Sequence, residues 1–459
     1  MNSSVSRRPS AIVSSGSIRA GARAGIPLIL AAGLLAIVCV SFDEGVGWLA
    51  LVLAGVATFA AAKRFPAVRT PLLVAFLLRA VLALTNRYVA ILPDAGGDAV
   101  IFERYGWNLA QAGIADPLSY LAGGAGAYYM FIAVVYSFTG HALLVIQAIN
   151  VLAGTMAVLE TYRISHKLWG WRPAVLSAWI LALQPTINMY SAIILREAIV
   201  VYCALLGMRL LLEYLERRNI LLAAGAVLAF AAGGILHNGI IAMIPLTGWF
   251  IITRLFSPSG RLKPRELLMT VGGLALVVGL GVMLFQRGWG LHKFHAILAA
   301  QDLMAIGALQ ERMSKDAGAA YLSGLVMNSW SDILWQSPIR LVYFLFAPFP
   351  WMVRSLEHII GVFDSSVYLA LAFNAFRRRR TIRASSAGRC VFWSFLVLAL
   401  VYAIGTSNFG TAIRHRVKVL PLLIILALAP ALTQTSIAAR DGRTRRSEEP
   451  DRPAAAGGG

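Results

Sequence analysis

Apolar runs of about 17–22 residues recur along the whole of this 459-residue chain, and that is the length a helix needs to cross a hydrocarbon core roughly 30 Å thick. In such a core every backbone N–H and C=O must find its partner within the protein, which leaves helices and closed barrels as the only spanning structures. Barrel strands would be about ten residues long and would alternate in polarity; these runs do neither. The chain is therefore expected to be all-α, a polytopic transmembrane helical bundle. Its charged fraction of 14%, against roughly 25% in soluble domains, leaves too few charges to solvate a globular surface.

Twelve spans are expected, near 26–42, 47–62, 70–91, 141–162, 173–190, 198–215, 219–236, 239–255, 266–285, 359–376, 389–406 and 417–434. The net charge of +20 is spread in short clusters between these runs. They are Arg7, Arg8, Arg19 and Arg23; Lys63, Arg64 and Arg69; Arg163, Lys167 and Arg172; Arg209, Arg217 and Arg218; and Arg254, Arg261, Lys263 and Arg265. Two more follow, Arg377 to Arg380 with Arg383 and Arg389, and Arg440, Arg443, Arg445, Arg446 and Arg452. Basic clusters that return after every second apolar run mark cytoplasmic loops. Both termini then fall in the cytoplasm, and the expected location is the inner, cytoplasmic membrane, crossed many times. The apolar stretches 126–139 and 340–352 break this alternation if only one of them spans, so both are read as interfacial or re-entrant segments.

The same distribution argues against nucleic acid, which needs a basic face on a folded soluble surface. Residues 1–25, rich in Ser and Arg, and 436–459, polar and ending in Ala and Gly, read as disordered cytoplasmic tails flanking one transmembrane domain over 26–435. Cys39, Cys203 and Cys390 lie in or beside apolar runs and show no CxxC or Cys/His spacing, so neither a disulfide framework nor a structural zinc site is expected.

Two long extracytoplasmic loops remain. The first, about 92–125, holds Asp94, Asp98, Glu103, Arg104, Tyr105, Trp107 and Asp116. The second, about 286–338, holds Arg287, His292, His295, Asp302, Glu311, Asp316 and Asp332. Shorter outward turns carry Arg196 with Glu197, His237 with Asn238, and SNFGTAIRHR at 407–416.

Three segments have chemistry in them. In PDAGGDAVIFERYGWNLAQAG, Gly96 and Gly97 allow a tight turn, and a short helix is expected from Asp98. That carboxylate suits an N-cap, and equally a general base toward an acceptor hydroxyl or a metal ligand. In QPTINMYSAIILREAIV, Glu197 stands at the mouth of an apolar helix, where an ionisable group is costly and so functional by default. The plain reading there is an Arg196–Glu197 pair reaching to the interface, although adjacent helical residues do not face each other. In SNFGTAIRHRVKVLP, Arg414, His415, Arg416 and Lys418 collect cations on the face where the positive-inside rule leaves few. Guanidinium groups beside the hydrocarbon suit a lipid-linked phosphate; headgroup anchoring is the simpler use.

Taken together, these segments resemble the polytopic glycosyltransferases of the GT-C fold, the superfamily of protein mannosyltransferases, aminoarabinose transferases and oligosaccharyltransferases. The resemblance spans residues 70–215 and 400–430 and rests on GDAVIFERYGWNLAQAG, LQPTINMYSAIILREA and RHRVKVLP. It implies a GT-C-like bundle that moves a sugar from a polyprenyl-phosphate donor to a cell-envelope acceptor (glycan, lipid or protein) on the extracytoplasmic face. It implies Asp98 and Glu197 as the catalytic acids, with Arg414, Arg416 and His415 at the donor phosphate. Glu103, Arg104, Tyr105 and His292 are candidates for acceptor or loop contacts. No cofactor is implied outright; a divalent metal is left open, because the two-acid metal motif of the oligosaccharyltransferases is here Arg-Glu. Two other readings compete. An O-antigen ligase or polysaccharide polymerase would centre on His292, His295 and Arg287. A transporter or flippase of lipid-linked glycans should carry charges deep in several spans, and only Arg79 and Arg209 are expected well inside apolar runs.

Overall fold

The structure, a computed structural model, describes residues 42–114, 124–255, 321–322, 325, 327, 329–353 and 356–431. Sixteen α-helices and no strand are found among them. In chain order these are α1 (Phe42–Arg64), α2 (Arg69–Tyr88), α3 (Asp98–Ala112), α4 (Gly124–Thr139), α5 (Leu143–Trp169), α6 (Trp171–Leu183), α7 (Pro185–Ala192) and α8 (Glu197–Arg217). They continue with α9 (Ile220–Leu236), α10 (Met243–Leu255), α11 (Trp330–Phe346), α12 (Leu356–Arg377), α13 (Arg379–Ala384), α14 (Ser386–Ile404), α15 (Phe409–Arg416) and α16 (Leu420–Ala427). Five are long and apolar enough to cross a membrane: α1, α2 with its 3-10 lead-in from Pro66, α5, α8 and α14. The chain is a multi-pass, all-helical membrane protein.

Most expected spans correspond to single helices, and three do not. The run 173–190 is broken at Gln184, whose extended backbone separates α6 from α7. Pro185 causes the break: it has no N–H to continue a helix, but it fits the first turn of a new one. The run 239–255 begins as a 3-10 turn, Asn238–Ala242, before α10. Among the described residues of the run 417–434 the helix is the eight-residue α16, with Pro421 in its first turn. Stretch 340–352 is not one element either, because its first half completes α11 and Pro350–Met352 is a separate 3-10 turn. The expected spans 26–42, apart from Phe42, and 266–285, together with both tails, lie outside the described residues.

Helix α5 is the axis of the bundle, packed by α1, α2, α6, α7 and α8. Two of its buried polar residues are satisfied locally: Thr155 and Thr161 each donate to the carbonyl four residues back, at 2.8 Å. The basic helix ends collect at one end of the bundle. There Lys167 at the end of α5 pairs with Glu216 of α8 at 2.5 Å, and Arg209 bridges Glu160 (2.5 Å) and Glu213 (2.7 Å). Arg163 lies over the Phe65 ring in the α1–α2 turn, and the Trp169 indole donates to Ile425 O. Arg209 is thus paired rather than free. Arg79 is fully buried in α2: Nη1 donates to Ala75 O at 3.0 Å, while Nε and Nη2 have no hydrogen-bond partner among the described residues. Gly154 of α5 must stay small beside it, since a Cβ there would lie 2.3 Å from Ser191 Oγ and 2.8 Å from Arg79 Nε.

Candidate active site

Chain reversals α2–α3, α7–α8, α9–α10 and α14–α15 meet at the opposite end. Between α7 and α8, Ile193 to Leu195 are buried and not helical; Leu195 N donates to Ile193 O at 2.8 Å, and the other carbonyls need partners from elsewhere. Helix α5 supplies them. Asn150 Nδ2 donates to Ile193 O and Leu195 O, both at 2.8 Å, and Gln147 Nε2 donates to Ala192 O at 2.8 Å. This pins the segment that delivers Glu197 to the first position of α8. A carboxylate there also benefits from the positive end of the helix dipole.

Glu197 is 1% exposed, and its Oε1 accepts from Arg414 Nε at 2.9 Å and from Lys418 Nζ at 3.4 Å. Its Oε2 has no partner among the described residues. Arg196 does not pair with Glu197: its Nη1 reaches Leu236 O at 2.8 Å, and its guanidinium lies 5.4 Å from the centre of the Phe102 ring. The second hand of Arg414, Nη1, holds Asp98 Oδ2 at 2.6 Å, and Asp98 is half exposed, at 48%. One guanidinium therefore bridges the two carboxylates that stand 99 residues apart in sequence. Burial works against the charge on Arg414, but Glu197 and then Asp98 outweigh it and raise its pKa above the ordinary arginine value.

The capping role considered for Asp98 is not taken. Helix α3 starts at Asp98 itself, Gly97 is the N-cap, and there is no side-chain capping bond. The helix is fixed instead by packing. Ala99, Phe102 and Gly106 are buried, and a Cβ at Gly106 would come within 2.4 Å of Ile132 in α4. Asp94, in the left-handed region at φ 61, accepts from the Tyr190 hydroxyl at 2.7 Å and ties the first loop to α7.

The three basic residues of α15 face three different ways, as successive positions on a helix must. Arg414 meets the acids. His415 Nε2 lies 3.3 Å from His237 Nε2 and its Nδ1 lies 3.2 Å from Thr406 Oγ1; His237 Nδ1 in turn lies 3.3 Å from the Tyr402 hydroxyl. Burial, with Lys418, His415, Arg196 and Arg414 around it, holds His237 well below the usual histidine range. Arg416 is expected at the donor phosphate, but it is completely buried and both its terminal nitrogens are engaged elsewhere, Nε alone having no partner among the described residues. Its Nη2 binds Asp364 Oδ2 at 2.5 Å, and its Nη1 donates to Ala347 O (2.8 Å), Ser365 Oγ (3.1 Å) and Leu345 O (3.2 Å). Asp364 Oδ1 also accepts from Gln184 Nε2 (2.7 Å) and Thr186 Oγ1 (2.5 Å). This knot ties α15 to α12 and to the start of α7 and holds both terminal nitrogens of Arg416 within the scaffold.

The remaining candidates separate. Glu103 pairs with His141, whose ring stacks on Trp107 at 4.5 Å. Glu103 and Asn86 border a cleft of about 220 Å³ whose other walls are Ile91, Ala95, Gly96, Ala99, Val100, Leu143 and Ile194. Tyr105 is exposed and stacks on Tyr129 at 5.3 Å; Arg104 is exposed. His292, with His295 and Arg287, lies outside the described residues. Sequence reasoning missed Asp364 and Glu160, both acids within apolar runs and so visible by the rule that flagged Arg79 and Arg209. It also missed Asn150 and Gln147, for which no local signal exists.

The bridging cation bears on a divalent metal. Asp98 and Glu197 are joined by Arg414, with Lys418 on the same oxygen of Glu197, and no group of three His, Cys, Asp or Glu side chains able to hold an ion is found among the described residues. An ion between the two acids would have to displace a guanidinium and sit against an ammonium. This donor set does not fit a divalent metal.

No family model matches the chain, and no curated protein matches it. Among solved structures it is similar to the archaeal oligosaccharyltransferase AglB from Archaeoglobus fulgidus in complex with an inhibitory peptide and a dolichol-phosphate. The identity is 15% and the TM-score 0.44, over 86% of this chain and 52% of that one. The apo form of the Archaeoglobus fulgidus oligosaccharyltransferase gives 14% identity and a TM-score of 0.44, over 82% and 51%. Its complex with Zn and sulfate gives 14% and 0.30, over 83% and 56%. The chain spans about half the length of these proteins.

Proposed function

We propose that this protein is a membrane glycosyltransferase of the GT-C type, which moves a sugar from a polyprenyl-phosphate donor to a hydroxyl of a cell-envelope acceptor at the extracytoplasmic face. The observation that carries this reading is the Asp98–Arg414–Glu197 bridge. It joins a half-exposed carboxylate to a guanidinium held from behind by a buried one, at the bundle end opposite the basic clusters.

In the reaction the acceptor oxygen attacks the anomeric carbon, and Asp98 takes the hydroxyl proton. The bond from that carbon to the phosphate oxygen breaks, and its electron pair leaves with the polyprenyl phosphate. Arg414 meets the charge on that phosphate, as a preorganised cation at the point where charge develops. Glu197 does not touch the reactants; it is a positioning residue that fixes Arg414 through Nε. No step uses a metal. Arg416 belongs to the scaffold that holds α15.

The test is transfer of a radiolabelled hexose from its polyprenyl phosphate to envelope glycolipid by protein reconstituted in liposomes. General-base catalysis is worth about 10²–10⁴ in rate, so Asp98→Asn should lower transfer by at least about a hundredfold at unchanged expression. Because Gly97 is the cap, the substitution does not disturb the start of α3. Full transfer by Asp98→Asn, or none by the wild type with any polyprenyl-phosphate hexose, would refute the proposal.

A further inference from the structure

We propose that the Asp98 carboxylate occupies, in the donor-free protein, the position that the donor's phosphate takes on Arg414, so that donor binding is what frees Asp98 to act as base. This rests on the functional reading above and deepens it.

The two grips of Arg414 are unequal, and the inequality decides which can be exchanged. The grip on Glu197 is 1% exposed and is shared with Lys418, itself fully buried. Breaking it would strand a carboxylate and two cations away from water, which is strongly unfavourable. The grip on Asp98 is a single N–H···O contact of 2.6 Å to a carboxylate that is 48% exposed. Water can take the place of the guanidinium there, and pairs of that kind contribute little. An incoming anion would therefore displace Asp98 and leave Glu197 in place. Arg414 then keeps its Nε anchor and turns only its outer nitrogens to the new ligand, in the fork geometry that guanidinium offers to phosphate.

Charge favours one class of donor. A sugar esterified to a polyprenyl monophosphate is a phosphodiester with one negative charge, the same as the carboxylate it replaces. The charge in contact with Arg414 is then unchanged, whereas a diphosphate-linked sugar would bring two charges in place of one. The exchange also orders the reaction. While Asp98 accepts from Arg414, its Oδ2 is turned to the guanidinium rather than to an acceptor hydroxyl. Only after the phosphate has arrived is it free to take the acceptor's proton, so donor binding precedes productive acceptor binding.

The experiment uses the whole protein in detergent and, as probe, a prenyl methyl phosphodiester, with the matching prenyl diphosphate for comparison. Asp98→Asn should bind the phosphodiester about three- to tenfold more tightly than wild type, a gain of roughly 0.7–1.4 kcal/mol, because the internal competitor is gone. Asp94→Asn removes the same charge four residues away, where the carboxylate holds Tyr190 rather than Arg414; its affinity should change less than about twofold. Equal tightening by both variants would reduce the effect to general electrostatics and overturn the exchange, as would no change in Asp98→Asn. A second readout needs no variant: carbodiimide labelling of Asp98, followed by mass spectrometry, should rise when the phosphodiester is added to wild type. Labelling that stays level or falls overturns the exchange. If the exchange is seen but no sugar is transferred, the proposed function fails alone. If sugar is transferred and Asp98 does not respond to the probe, the exchange fails alone.

Discussion

Glu197→Gln should be among the most destabilising single substitutions at the site end of the molecule, although it changes almost no volume. The amide oxygen still accepts from Arg414 Nε, so the hydrogen bond at 2.9 Å survives and what is lost is the charge. Two cations then remain with less than they need: Lys418, whose side chain is fully buried, and Arg414, 15% exposed. Removing one partner of a buried pair typically costs about 3–5 kcal/mol. Arg414 keeps Asp98, so the lower part of that range, about 3 kcal/mol, is expected. Most of it should belong to Lys418. Lys418→Met removes the stranded ammonium while Glu197 keeps Arg414, and should cost only about 1 kcal/mol, the ordinary net worth of a hydrogen-bonded contact. The double variant should then be more stable than Glu197→Gln alone by roughly 1–2 kcal/mol, which makes the non-additivity about 2–3 kcal/mol, within the range seen between groups in contact. Equilibrium unfolding of all four proteins in mixed micelles measures this cycle. Additive costs, or a Glu197→Gln protein within about 0.5 kcal/mol of wild type, would refute the view that Glu197 is the counter-ion of a buried cation pair.

Asp364→Asn should destabilise by about 3–5 kcal/mol, since Arg416 has no exposure through which to be solvated; unfolding in micelles should register the loss in the absence of any substrate. Asn150→Leu removes the donor shared by Ile193 O and Leu195 O; Ile193 O keeps the Leu195 N–H, so the cost is about 1–3 kcal/mol for the one carbonyl left unsatisfied. Cysteine accessibility at position 194 should rise with it. His237 lies in the turn after α9 and is held neutral by burial and by the cations around it. Its folded pKa is below the unfolded value of about 6.5, so its contribution is present above pH 6.5 and is lost as pH falls below that value. A stability profile that declines below pH 6.5 in wild type, and declines less steeply in His237→Gln, is the expected result.

The helical membrane class was readable because burial in lipid leaves so few backbone solutions that length and apolarity nearly decide the matter. The helix beginning at Asp98 was readable for a local reason as well, since Gly96 and Gly97 end one segment and Ala99, Phe102 and Gly106 repeat at helical spacing to give the next its buried face. Where backbone chemistry competes with apolarity, an expected run is not a single helix. The run from 173 to 190 is apolar as a whole although Gln184, Thr186 and Asn188 interrupt it, and the absent N–H of Pro185 divides it. The same limit applies to partners. Asp364 and Arg416 are each conspicuous as charges next to apolar sequence, yet they are separated by 52 residues, and no one-dimensional pattern couples them.

Arg414 and Arg416 show what further inference the sequence would have allowed. Read as a turn, RHR is a single basic patch, and both arginines are equal candidates for a phosphate. Read as part of a helix, it is not a patch at all. At 3.6 residues per turn each step rotates about 100°, so two residues apart lie about 200° around the axis, on nearly opposite faces. Asn408 announces that helix: its side chain accepts from Gly410 N at 2.7 Å and from Thr411 N at 3.4 Å, the capping geometry for which Asn is favoured. Once S-N-F-G-T is recognised as a helix start, only one of the two arginines can face the acids, and the other must be turned into the bundle. A guanidinium turned into the bundle is best met by an acid, and the apolar run 359–376 offers one, Asp364. The division of labour in α15, one arginine for the site and one for the scaffold, therefore follows from a cap and a rotation angle, before any distance between the two acids is known.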